Sequence, residues 1–220
     1  MHLLVLGASG GCGRWLTRLA AEGGHQVTAL VRASAAVAAM PGVRVIRGEV
    51  LDSAVLATAL AGQDAVASCL GLRRDGRSPW APLRSPPDLT ARVTAALVPA
   101  MARAGVRRIV AISAGGVAES ITRLSMPVRW LIASGNVAVA YRDLAEMERL
   151  LSASQLDWLA VRPVTLVDGA PTGRAGAVTR YGLFSTVRRA DVAAWMLGAL
   201  ERPASFSGHT VLLGTSSRAS

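Results

Sequence analysis

Lysine is missing from this chain: all 24 basic residues are arginine, against 14 acidic ones, for a formal charge of +10 and a pI near 11.4. A surplus of that size can mark a nucleic-acid binder. Here the arginines stand singly or in pairs, as at Arg73-Arg74, Arg107-Arg108 and Arg188-Arg189, with no basic stripe interleaved with aromatics. They read as solvated surface, and nucleic acid is not an expected partner. Cysteine is scarce, and Cys12 and Cys69 make no disulfide framework. His2, His25 and His209 fall at a strand start, a turn and a late strand, without metal-ligand spacing, so no metal site is expected. No uncharged apolar run approaches the roughly 18 residues of a membrane span. No charged-then-apolar leader is visible either, because Met1 leads straight into an apolar strand. The expectation is a cytoplasmic protein without a membrane partner. Internal repeats and linkers are also lacking. With 51% apolar residues in 220, the chain suits one α/β domain, expected over 1–214 with a loose tail at 215–220.

What is present is concentrated at the start. His2-Leu3-Leu4-Val5-Leu6 is an apolar run of strand length, and Gly7-Ala8-Ser9-Gly10-Gly11-Cys12-Gly13-Arg14 follows it. A helical pattern through Trp15, Leu16, Leu19 and Ala20 leads to a second strand over 26–31. In a G-x-x-G-x-x-G turn between strand and helix, the first glycine allows a sharp turn. The second lets a pyrophosphate approach the backbone, and the third lets helix and strand pack closely. The helix N-terminus offers N–H groups and a positive dipole end to phosphate. The alternative is a tight turn with no ligand; the motif's context, after a strand and opening a helix, favours a dinucleotide.

Further along, the rhythm continues. A helix is predicted over 34–40, a third strand over 43–47, and a helix to Leu60 capped by Asp52-Ser53. The fourth strand covers 64–69. Residues 72–87, rich in Pro and Arg with one exposed-looking Trp80, form an irregular stretch of the length that lids have. Asp88 is expected to cap a helix over 89–104 that Gly105 stops, and a fifth strand follows over 106–112. Residues 118–140 are ambiguous, with a helical piece over 126–133, and Tyr141-Arg142-Asp143 opens a helix through Leu151. A sixth strand covers 157–162, stopped by Pro163. A loop runs over 164–169, short strand pieces fall within 176–187, a helix begins at Ala190-Asp191, and a last strand covers 208–213. This alternation predicts a single doubly wound, Rossmann-type, mostly parallel sheet with helices on both faces. A small substrate-covering part is expected from 72–87 and 118–187. Arg32 ends the second strand, where an acid would suit a ribose 2′-hydroxyl and a base suits a 2′-phosphate; with Arg14 nearby, NADP(H) is expected over NAD(H).

The G-A-S-G-G-C-G-R opening, the S-A-G-G at 113–116, the L-D-W-x-x-V-R-P strand and the R-R-A-D-V-A-x-W-M-L helix resemble the atypical short-chain dehydrogenase/reductases. Within these the chain is similar to the small NAD(P)H-binding group that includes biliverdin reductase B, a flavin reductase. That resemblance covers nearly the whole chain. It implies a cofactor lying across Gly7, Ala8, Ser9, Gly10, Gly11, Cys12, Gly13 and Arg14, with Arg32 at the 2′-phosphate. It puts Glu49 and Val50 by the adenine, Leu70, Gly71 and Arg73 along the ribose and nicotinamide, and Ser113, Pro163 and Val164 near the nicotinamide. Classical members carry a Tyr-x-x-x-Lys pair for proton transfer. Without lysine this pair is impossible here, and Ala145 stands four residues after Tyr141. Biliverdin reductase B-like proteins also lack it. Where biliverdin reductase B has a histidine after its Pro-Pro, this chain has Thr165.

The resulting expectation is an NADPH-dependent oxidoreductase that passes hydride to a flavin, quinone or other conjugated carbonyl, on an aromatic or conjugated small molecule. Ser113 is the leading candidate for a hydroxyl that orients the acceptor, with Tyr141 and Thr165 as further candidates. Two other readings keep the cofactor site: a non-catalytic NADP(H)-binding redox sensor, and a redox-neutral isomerase or cyclase. A monomer or homodimer is expected.

Overall fold

The computed structural model describes residues 1–35, 37–76, 78, 80–118, 135–182 and 184–216. Its strands are β1 (His2–Leu6), β2 (Gln26–Val31), β3 (Val43–Arg47), β4 (Ala65–Ser68), β5 (Arg108–Ile112), β6 (Asp157–Pro163), β7 (Thr165–Val167), β8 (Ala175–Ala177), β9 (Thr186–Arg188) and β10 (His209–Thr215). The helices among the described residues are α1 (Gly11–Glu22), α2 (Ser53–Leu60), α3 (Leu89–Ala104), α4 (Asn136–Ser152) and α5 (Arg189–Glu201). Eight strands form one sheet in the order β3-β2-β1-β4-β5-β6-β10-β8, parallel except for β8, which runs antiparallel to β10. The doubly wound Rossmann-type fold expected from the sequence is the one observed.

β1 sits at the centre because it has no polar face. Leu3, Leu4, Val5 and Leu6 are all fully buried, as a parallel strand covered on both sides requires. Alternation then divides the core in two. Leu3 and Val5 join Leu16, Ala20, Val192 and Met196 under α1 and α5. Leu4 and Leu6 join Leu60, Leu97, Met101 and Met147 under α2, α3 and α4. The chain moves outward from β1 to β2 and β3, then returns to place β4 on the other side of β1. That reversal opens a crevice beyond the carboxyl ends of β1 and β4, where ligands of such sheets bind.

Several local expectations are corrected. Residues 34–40 are not helical where described. Turns close this stretch at both ends, and Arg47 Nη1 donates to the Ala35 carbonyl at 2.6 Å, giving its backbone non-helical partners. The 164–169 loop contains β7, which pairs in parallel with β9 as a separate two-stranded ribbon. β10 runs on through Thr215, and the Ser216 N–H donates to the Arg174 carbonyl at 2.7 Å. The helical piece over 126–133 and residues 217–220 of the tail lie outside the described residues. The sheet margins are blunt: β3 carries exposed Arg44 and Arg47, and β8 is three residues long.

Asp88 occupies the N-cap of α3, but its side chain makes no capping bond. Asp143 of α4 replaces it. It does not open α4, which begins at Asn136; it lies two turns in and is buried. Its carboxylate accepts from the Thr90 N–H at 3.0 Å, the Thr90 hydroxyl at 2.6 Å and the Ala91 N–H at 2.9 Å. A second polar link ties α4 to β6: Arg162 meets Glu148 in a buried bidentate pair, with Nε–Oε1 at 3.0 Å and Nη2–Oε2 at 2.6 Å. Breaking such a link by removing one partner leaves buried donors unserved. Asp143→Ala is expected to destabilise the protein by about 2–3 kcal/mol in urea unfolding, whereas Asp88→Ala should change stability by less than about 0.5 kcal/mol.

Candidate functional site: a glycine cradle at the sheet switch point

The turn after β1 is backbone packed against backbone. Gly7 has φ +73°, in the left-handed region that glycine tolerates, and a Cβ there would lie 2.8 Å from the Cys69 carbonyl oxygen. A Cβ on Gly13 would lie 2.2 Å from the Gly7 carbonyl oxygen. The Gly10 N–H donates to that same carbonyl at 2.8 Å, and Arg14 N–H donates to Gly10 at 2.9 Å. α1 therefore starts from a glycine N-cap, with no capping side chain and no acid in its first turn. This leaves the positive helix end facing the crevice without a protein anion of its own on that turn, a cradle that fits a diphosphate.

The other candidates gather along the same sheet edge. Arg14 is exposed on the first turn of α1, and Arg32 is exposed one residue beyond β2. Glu49, exposed, and half-buried Val50 follow β3; half-buried Leu70 and exposed Gly71 and Arg73 follow β4. Ala8 and Cys12 are buried and Ser9 is half-buried. Ser113, just past β5, is buried; its N–H donates to the Val161 carbonyl at 2.6 Å, and its Oγ has no hydrogen-bond partner among the described residues. Pro163 and Val164, both buried, complete this edge at the end of β6.

Tyr141 lies inside α4 rather than at its start. Its hydroxyl donates to the Gly115 carbonyl at 2.9 Å. Burial pushes the phenol above its ordinary value, and the Arg74 guanidinium partly opposes that shift. Thr165 does not join this group: it is exposed on β7, paired with Thr186. Beside Gly115 is a recess of about 300 Å³ whose lining includes Val164, Arg180, Tyr181, Phe184, Thr186 and Thr215. A Cβ on Gly115 would stand 3.3 Å from the Pro163 carbonyl and 3.5 Å from the Tyr181 ring, so the recess adjoins the Ser113–Val164 edge.

The described residues of 72–87 make internal contacts that their composition does not indicate. Arg74 and Leu83 form an antiparallel bridge, and Asp75 N–H donates to Pro82 at 2.8 Å. An Arg84–Asp75 ion pair at 2.6 Å braces it, and Asn136 Nδ2 donates to the Ala81 carbonyl at 3.0 Å, docking the flap on α4. Sequence reasoning missed two further features, because both are contacts between segments about 20 residues apart. Asp191, buried in α5, accepts from the N–H groups of Thr172 and Gly173 at 2.6 and 2.9 Å. Arg189 crosses the face of Gly11 and donates to Asp168 at 2.9 Å.

The surroundings of both cysteines disfavour the thiolate. Burial pushes the Cys12 thiol up to about 11, against the pull of nearby Arg189 and with a smaller push from Asp168. Burial, then Cys12 itself, raises Cys69 well above 9.0. A folded thiol that keeps its proton to higher pH than the unfolded one contributes stability that is whole below pH 9.0 and lost toward pH 11. The fall in urea midpoint between about pH 8 and about pH 10.5 is expected to be smaller in Cys12→Ala than in the parent.

Comparison with solved structures agrees with this topology. The chain is similar to ChuY, an anaerobilin reductase from Escherichia coli O157:H7, at 27% identity and TM-score 0.77, over 99% of this chain and 98% of that one. A short-chain dehydrogenase/reductase from Veillonella parvula in complex with NADP matches at 16% identity and TM-score 0.76, over 100% and 96%. The oxidoreductase ylbE from Lactococcus lactis matches at 21% identity and TM-score 0.77, over 100% and 93%. A family described as NAD(P)H-binding matches residues 7–203, from the first glycine of the cradle to the turn after α5. The glycine turn, the switch-point crevice and that match together place this chain in the NAD(P)H-binding family.

Proposed function

We propose that the chain is an NADPH-dependent reductase that delivers hydride to a conjugated acceptor: a flavin, a quinone or another conjugated carbonyl compound, linear tetrapyrroles included. The observation that carries this reading is the buried, unpartnered Ser113 hydroxyl, set at the sheet edge beside the recess that Val164, Tyr181 and Phe184 help to wall. A buried hydroxyl without a partner costs stability and is a donor held ready for a ligand atom. The similarity to ChuY supports an acceptor of the tetrapyrrole kind.

Bound NADPH supplies the hydride; the chain positions and shields. The cradle from Gly7 to Arg14 receives the diphosphate. Arg32, with no acid at the end of β2, suits a 2′-phosphate. Ser113 Oγ donates to the acceptor's carbonyl-type oxygen and fixes its face. The recess would receive the acceptor, and exposed Phe184 with Arg180 in its lining offers a ring face and a cation to a planar, acidic molecule. Tyr141 is a poor acid here, because burial raises its pKa and its proton is engaged by the Gly115 carbonyl. Conjugated acceptors delocalise the added electron pair and can take their proton from water, so the missing Tyr–Lys relay is no obstacle.

Loss of NADPH absorbance with a panel of flavins, quinones and linear tetrapyrroles tests the reading. Turnover above that of free cofactor is expected with at least one acceptor; saturable NADPH binding with no turnover across the panel overturns it in favour of a redox sensor. Ser113→Ala should lower kcat by about 10- to 100-fold while leaving the Kd for NADPH unchanged. Arg32→Asp should invert the preference for NADPH over NADH, and unchanged selectivity in that variant would sink the assignment of Arg32 to the 2′-phosphate.

A further inference from the structure

The β7–β9 ribbon delivers an acid and a base to one point. Its parallel register sets Val167 opposite Arg188, so the next residues, Asp168 and Arg189, leave the ribbon side by side at the same end. They meet there, with Arg189 Nη1 donating to Asp168 Oδ1 at 2.9 Å. The pair sits on the glycine cradle. A Cβ built on Gly11 would fall 2.5 Å from Arg189 Cδ and 2.8 Å from Nε, so the arginine stem lies flat across the first residue of α1. Gly11 has no positive φ, unlike Gly7. Its lack of a side chain makes room for Arg189 rather than for a backbone turn.

This arrangement is electrostatically backward for a protein without a ligand. The N-terminus of a helix stabilises anions and disfavours cations. Here a guanidinium lies over that end, Arg14 projects from the same turn, and the turn contains no acid. Asp168 offsets part of the charge, but its side chain is 73% exposed and it contributes one hydrogen bond to Arg189. Exposed pairs of that kind are worth little, typically about 0–1 kcal/mol, and are readily exchanged for a better anion. An arginine lies against the first residue of a helix start that has no capping side chain, and both are donor types that a diphosphate satisfies.

We propose that Arg189 is a clamp for the cofactor's diphosphate, kept in place by Asp168 until the nucleotide arrives and then transferred to it. The inference rests on the nucleotide site and not on hydride transfer. The clamp comes from the opposite end of the chain to the glycine turn, so it joins the start of α5 to the start of α1 when the nucleotide is bound. Asp168 is the competing anion; removing it frees the guanidinium.

Isothermal titration with two nucleotides tests this. NADP⁺ carries the diphosphate, whereas adenosine 2′-monophosphate lacks it. Arg189→Gln is expected to raise the Kd for NADP⁺ about tenfold, roughly 1.4 kcal/mol, and to leave the Kd for adenosine 2′-monophosphate unchanged. Arg189→Lys should recover part of the loss, and Asp168→Asn should tighten NADP⁺ about threefold. Arg32→Gln provides the opposite pattern, weakening both nucleotides. An Arg189→Gln variant that binds NADP⁺ as the parent does, or that loses the two nucleotides equally, overturns the clamp. Binding results are independent of turnover: a protein that shows the Arg189 pattern yet reduces no acceptor loses the reductase reading and keeps the clamp. One that reduces acceptors with an unaltered Arg189→Gln affinity does the reverse.

Discussion

The contact on which everything else rests is between two pieces of backbone. The start of α1 lies so close to the turn leaving β1 that Gly13 has no room for a Cβ: the Gly7 carbonyl oxygen would be 2.2 Å away. That closeness fixes the angle at which α1 leaves the sheet, brings its N-terminus over the crevice between β1 and β4, and lets α1 lie flat enough to share a core with α5. A single methyl at this position would lever the helix off the strand and misdirect its N–H groups. The nucleotide site is thus a by-product of packing: the geometry that lets helix and strand touch also leaves the donors aimed outward.

How much of this could be read from the sequence follows from the range of the interactions involved. β1, β2, α1 and the glycine turn were legible because their signals are local: an apolar run, a helical period, glycines at fixed offsets. The buried serine at the end of β5 was legible because strand ends in a doubly wound sheet share one edge. By contrast, the expected helix over 34–40 is not formed where described, and the Ala35 carbonyl is engaged by Arg47 of β3, a partner that the local pattern does not reveal. The cap on α3 was assigned to the adjacent Asp88, yet Asp143, 53 positions from Thr90 along the chain, supplies it. The β7–β9 ribbon has strands of three residues, too short for any periodicity to declare itself, and Arg189 inherits its position from that ribbon. Thr165 belongs to that same ribbon: where the sequence reads as a loop, the chain forms a three-residue strand.

Acids are the scarce resource in this chain, and several are withdrawn from the surface. Asp143, Glu148 and Asp191 are all buried, each tying its helix to another segment of the chain. Asp157 does similar work at the start of β6, accepting from Ser205 Oγ and the Phe206 N–H. Among the described residues three carboxylates but one arginine, Arg162, are buried, so the exposed charge is weighted further toward the positive. A polyanionic dinucleotide approaching such a surface is drawn in over distances of about a Debye length, near 8 Å at physiological salt, before any hydrogen bond forms.

The two margins of the sheet have a bearing on how copies of this protein meet. A strand edge normally presents a row of unpaired amides and carbonyls to which another chain can add. Here one margin is fringed by Arg44 and Arg47, and the other ends in a strand too short to template a neighbour. Like-charged guanidinium fringes repel when two such margins approach. Lateral growth into a continuous intermolecular sheet is therefore disfavoured at both ends.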